Sequence, residues 1–62
     1  MPVREIASLV WDRRNDDIEV IYVGRDPEHF FGSEDVAIAL ALNAGLVAVP
    51  TPDGIRRWVS GG

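Results

Sequence analysis

The chain reads as an α+β protein: a small antiparallel sheet of three or four strands with one helix packed across a face. Three observations predict this. "IEVIYVG" alternates side chains with four β-branched residues in seven, as a strand does. "GSEDVAIALALNAGL" carries a helix start and a helix stop. Pro, Gly and Asp gather in three clusters, Gly24 to Pro27, Gly32-Ser33 and Pro50 to Gly54, which punctuate the chain as turns.

The first segment, "PVREIASLV", supports two readings. Val3, Ile6, Ala7 and Val10 fall at i, i+3, i+4 and i+7, a helical stripe, and Pro2 fits a first helical turn. "SLVWD" can equally be a strand joined to the next through "RRNDD". The helical spacing favours a short helix running into an extended Val10-Trp11. In "IEVIYVG", Ile21 and Val23 are apolar on the second face as well as Ile18, Val20 and Tyr22 on the first, which predicts a central strand covered on both sides.

Ser33 is placed to cap a helix with its hydroxyl, and Glu34 and Asp35 put negative charge in its first turn, where the dipole favours it. Four alanines between Ala37 and Ala44 favour the helix, and Gly45 supplies a left-handed stop. "LVAVP" reads as a strand ending at Pro50, "TPDG" as a turn, and "IRRWV" as a last strand. "HFF" is read as loop. The expected core is Val10, Ile18, Val20, Tyr22, Ile38, Leu42, Val47, Val49 and Trp58.

With 62 residues the chain is one domain, 1–62, of a size that is marginal by default. It has no cysteine, so neither a disulfide nor a thiolate metal site can staple it. A second copy of the chain is therefore a candidate partner, as for many small cores. No apolar run approaches the roughly 18 residues that span a bilayer, and the N-terminus has no signal-peptide pattern. Both point to a cytoplasmic protein with no membrane partner.

Net charge is −4, from ten acidic and six basic residues, and hydrophobic residues make up 47%. The acidic balance argues against coating of nucleic acid. Asp12, Asp16, Asp17 and Glu19 lack the turn glycine and closing glutamate of a calcium loop, and the single histidine, His29, cannot build a zinc site alone; no metal or cofactor is expected. Ser8, Ser33 and Ser60 have no nucleophile context. A chain this short struggles to form a concave pocket of a few hundred cubic ångströms, so it reads as a non-enzyme. Phe30 and Phe31 are adjacent, cannot both point inward from an extended backbone, and so form a candidate aromatic anchor for an interface.

Arg4-Glu5, Trp11-Asp12, Arg14, Tyr22 and Arg25 match, in order and approximate spacing, the opening of a family of small RNA cyclic-phosphate-end recognition domains, which Val3 to Arg25 resembles. The second half, "VPTPDGIRRWV", keeps a proline and an arginine pair but lacks that family's histidine. The resemblance implies a non-catalytic module that recognises a phosphate-bearing RNA end, with Arg14, Arg25, Arg56 and Arg57 meeting phosphate bidentately and Trp11 as a stacking surface. Two other readings stand beside it. A small acidic interaction protein would engage a basic protein surface through Asp16, Asp17, Glu19, Asp26, Glu28, Glu34 and Asp35. A β-grasp, ubiquitin-like carrier would use its terminal Gly61-Gly62, and the order strand, strand, helix, strand, strand would fit it.

Overall fold

The structure, a computed structural model, describes residues 5–61. Five strands and one helix follow in the order β1 (Ile6–Asp12), β2 (Asp17–Tyr22), β3 (Glu28–Phe31), α1 (Glu34–Asn43), β4 (Leu46–Val49) and β5 (Ile55–Ser60). The strands form one sheet in the order β3-β2-β1-β5-β4, antiparallel throughout. The α+β expectation holds, with five strands rather than three or four. Three strands, not two, precede the helix, which departs from the order expected of a β-grasp carrier. Gly62 and residues 1–4 lie outside the described residues, and with them the expected helical start at Pro2 and Val3.

Ile6 to Asp12 is a strand, not a helix, and it is the middle strand of the sheet. Its register against β2 pairs Ile6 with Tyr22 but Ser8 with Ile21. One extra residue, Ala7, is accommodated as a β-bulge, which rotates Ile6 onto the same face as Leu9 and Trp11. The turn that follows is fixed by Asp12. Its Oδ1 accepts from the Arg14 amide at 2.9 Å and its Oδ2 from Asn15 Nδ2 at 2.9 Å. Asp16 closes the turn at φ 48°, a left-handed conformation that aspartate adopts more readily than most residues.

The helix packs on one face of the sheet. Ala37 and Ala41, one turn apart, are its buried residues, and their small side chains let the helix axis approach the strands closely. The core is Leu9 and Trp11 of β1, Ile18 and Val20 of β2, Trp58 of β5, Leu46, and these two alanines, with Ile6, Tyr22, Ile38 and Leu40 packed around them. Of the expected core, Ile18, Val20 and Trp58 are buried, and Tyr22 and Ile38 are half-buried against them. Leu42 is 73% exposed and Val47 50% exposed, so neither belongs to it. Leu42 points away because α1 turns Ala37 and Ala41, flanked by Ile38 and Leu40, toward the sheet. Val47 lies on the sheet's other face.

That other face carries no layer among the described residues, which corrects the reading of β2 as covered on both sides. Cross-strand pairing arranges it in rows. The middle row runs His29, Glu19, Val10, Arg57, Val49, and the next runs Ile21, Ser8, Val59, Val47. A third row holds Phe31, Asp17, Asp12 and Ile55. No helix among the described residues is long and apolar enough to cross a membrane.

Ser33 stands at the N-cap with extended backbone (φ −82°, ψ 172°), but its hydroxyl makes no capping hydrogen bond. Its carbonyl accepts the Ala37 amide at 3.1 Å, so the helix begins there through the backbone alone. The expected stop is present: Gly45 has φ 71° and donates its amide to the Leu42 carbonyl at 3.1 Å.

Candidate protein-interaction edge

β3 is an edge strand of four residues, "EHFF", where the sequence had suggested a loop. Gly32 donates its amide to the Asp16 carbonyl at 2.7 Å. This bond continues the β2–β3 register, in which Ile18 faces Phe30 and Val20 faces Glu28. Hydrogen-bonded and non-bonded pairs alternate in an antiparallel ladder. Phe30 and Glu28 therefore bond to β2, and the amides and carbonyls of His29 and Phe31 turn outward, toward the open edge.

The side chains of this edge are unusual for a strand at the rim of a sheet. Phe30 is 46% exposed and Phe31 86% exposed, so both rings are displayed at the surface. Behind them lies a trough of about 350 Å³ between β3 and α1, walled by Ile18, Val20, Tyr22, Phe30, Phe31, Val36 and Leu40. Every wall residue is apolar or aromatic. Exposed edges of this kind usually carry charge or a bulge to prevent pairing.

The flank of this edge is acidic. On the uncovered face His29 Nδ1 meets Asp17 Oδ2 at 2.8 Å, and His29 Nε2 stands 3.7 Å from Glu19 Oε2. The hydrogen bond to Asp17, and then its charge, hold the His29 pKa above the usual 6.5 against the opposing effect of desolvation, and the charge of Glu19 adds a smaller upward push. On the helix side, Tyr22 donates its hydroxyl to Glu28 Oε1 at 3.0 Å. Asp26 lies in the turn before β3, and Asp16 in the turn before β2. Five of the seven acidic residues singled out by sequence thus belong to β2, β3 and the turns that enter them. Glu34 and Asp35 sit apart, in the first turn of α1.

The arginines are placed differently. Arg14 lies in the β1–β2 turn and Arg56 near the start of β5, at the same end of the sheet, because Asp12 pairs with Ile55. Arg13, which the sequence reading did not single out, joins them, lining with Arg14 a hollow of about 710 Å³ and with Arg56 one of about 400 Å³. Hollows of a few hundred cubic ångströms are therefore present, against the expectation from chain length, though they lie open at the surface. Asp12, Asp53 and Glu34 line the same two hollows, and Glu34 Oε2 holds Arg56 Nε at 3.0 Å.

Arg57, next in sequence to Arg56, projects from the opposite face of β5. Arg25 lies at the far end of β2, its guanidinium 5.6 Å from the centre of the Tyr22 ring, a cation–π contact. Trp11 is buried, and its Nε1 donates to the Gly32 carbonyl at 3.1 Å, so its ring fills the core rather than facing solvent. Of the five residues considered for phosphate, the fold brings Trp11, Arg14 and Arg56 to one end of the sheet, Trp11 lining the smaller hollow beside its cross-strand partner Arg56, and sets Arg25 and Arg57 apart.

Among the described residues no three histidine, aspartate or glutamate side chains converge as a metal site. Compared with known proteins, the chain matches no family model, no curated protein and no solved structure.

Proposed function

We propose that this protein is a non-catalytic interaction module that adds an extended segment of a partner protein to the free edge of β3. The observation that carries this reading is the exposure of Phe30 and Phe31 on an edge strand whose outward amides face no further strand among the described residues. Strand addition draws its affinity from main-chain hydrogen bonds and its selectivity from alternate side chains.

The two sides of this edge ask for different residues. On the helix side the trough behind Phe30 favours leucine or phenylalanine. On the other side Asp17 and Glu19 favour arginine or lysine. The matching segment alternates apolar and basic residues, which is the acidic-partner reading made specific. An RNA end is the weaker alternative, because the guanidiniums of Arg13, Arg14 and Arg56 share their hollows with three carboxylates, which cancel much of the attraction to phosphate.

A titration followed by amide NMR separates the two. The peptide Leu-Arg-Phe-Arg-Leu-Arg is expected to shift β3 and the first turns of α1, and Phe31→Ser to abolish the shifts. A short RNA ending in phosphate is expected to leave the spectrum unchanged. RNA-induced shifts confined to residues 12–15 and 53–57, with none from the peptide, would overturn the proposal.

A further inference from the structure

The uncovered face of the sheet has a symmetry of its own. In its middle row Glu19 stands one strand to one side of Val10 and Arg57 one strand to the other. Arg57 is exposed, lies between Val10 and Val49 on the neighbouring strands, and makes no ion pair among the described residues. An arginine set between two valines, with a carboxylate at the mirrored position, is charge complementarity of the face with itself.

We propose that this face is a self-association surface, covered in solution by a second copy of the chain packed face to face about a two-fold axis that runs along β1 over Val10. The operation exchanges the strands on either side of β1. It sets Arg57 of each copy against Glu19 of the other, Val59 against Ile21, and Val10 against itself. Such a contact is isologous and closes after two copies. The strands of the two sheets stay nearly aligned, as in sandwiches, about 10 Å apart, a gap that Arg57 and Glu19 span together.

Area decides how tight the dimer is. Five strands at about 4.8 Å spacing and about five residues at about 3.3 Å make a face of roughly 24 Å by 16 Å. Both copies together then bury on the order of 1,000 Å², the lower bound for a specific interface, so the dimer is weak and concentration-dependent. The third row bears a cost, since Asp12 meets its own copy. It lies at the rim, where water screens it, and its carboxylate is already occupied by Arg14 and Asn15.

Sedimentation equilibrium on the full chain, from low micromolar to millimolar, tests this. The mass is expected to rise from 6.8 kDa toward twice that value. Arg57→Glu and Glu19→Arg should each weaken the dimer on the order of tenfold or more, because each sets like charges together twice. The double exchange should restore it, which also proves that both substitutions leave the fold intact. If a single reversal disturbs the fold, Arg57→Gln and Glu19→Gln replace it and should weaken the dimer a few-fold. Phe30→Ser, on the helix side of β3 rather than on this face, should leave the dimer unchanged while weakening peptide binding at the trough, so the two proposals fail separately. A mass of 6.8 kDa at every concentration overturns the proposal. So does a dimer that ignores both reversals or is lost with Phe30→Ser.

Discussion

Trp11 and Gly32, 21 residues apart in sequence, are joined by a hydrogen bond of 3.1 Å from the indole nitrogen to the glycine carbonyl. This bond ties the middle strand to the segment that leads from β3 into α1, and so sets where the helix begins over the sheet. Trp11→Phe removes the donor and part of the ring, and should lower unfolding free energy by about 2 kcal/mol in urea titrations. Gly32→Ala attacks the same junction from the other side. A Cβ there would stand 2.7 Å from Ile18 Cδ1, and Ile18 is fully buried. A loss of about 1 kcal/mol is expected as the isoleucine tip shifts.

The core is small enough that one side chain decides whether the chain folds. Leu9 is fully buried between Val20 and Trp58 on the two neighbouring strands. Leu9→Ala should cost about 2–5 kcal/mol, against a total stability of roughly 3–9 kcal/mol for a chain of this length. Leu42→Gln, on the outer side of α1, should change stability by less than about 0.5 kcal/mol. Far-ultraviolet dichroism during urea unfolding measures both.

The Asp17–His29 pair makes stability depend on pH, and the sign follows from the raised His29 pKa. The folded chain holds the imidazolium proton more tightly than the unfolded chain does. The added stability is fully present below the ordinary value of 6.5 and is lost as pH rises through the higher folded value. Asp17→Asn should bring the His29 titration, followed by NMR of the ring, back toward 6.5. It should also flatten the difference between unfolding at about pH 5.5 and about pH 8.5.

Phe30 and Phe31 should contribute little to the fold and much to surface stickiness. With 86% of its surface exposed, Phe31 replaced by serine should alter stability by less than about 0.5 kcal/mol. Binding of an apolar fluorescent dye to the trough should fall with Phe30→Ser, and solubility should rise. A dye signal unchanged by Phe30→Ser would place the sticky surface elsewhere.

The elements legible in the sequence were those whose period is uninterrupted or whose ends are marked: β2, α1 with its acidic first turn and Gly45, and the two strands after it. β1 was hidden by its own bulge. Ala7 is the extra residue, so Ile6 reaches the core face out of step with Leu9 and Trp11, and the remaining apolar positions imitate a helical stripe. β3 is only four residues long, too short for alternation to register beside Pro27. The misplaced core members Val10, Val47 and Val49 share one cause. They are apolar on the sheet's uncovered face, where hydrophobicity alone cannot say which layer covers them. For the site, the exposed phenylalanine pair and the acidic residues near it were readable, because an extended backbone cannot bury adjacent side chains together. The separation of the arginines was not, because it depends on which turns share an end of the sheet.

Hydrogen exchange at the His29 and Phe31 amides reports whether a partner strand adds to β3. In the free chain His29 and Phe31 should exchange rapidly, and Phe30, bonded to β2, slowly. Adding the alternating Leu-Arg-Phe-Arg-Leu-Arg peptide should slow His29 and Phe31 together and leave Arg13, Arg14 and Arg56 unaffected. Protection confined to those arginines, with His29 and Phe31 still fast at saturation, would contradict strand addition at β3.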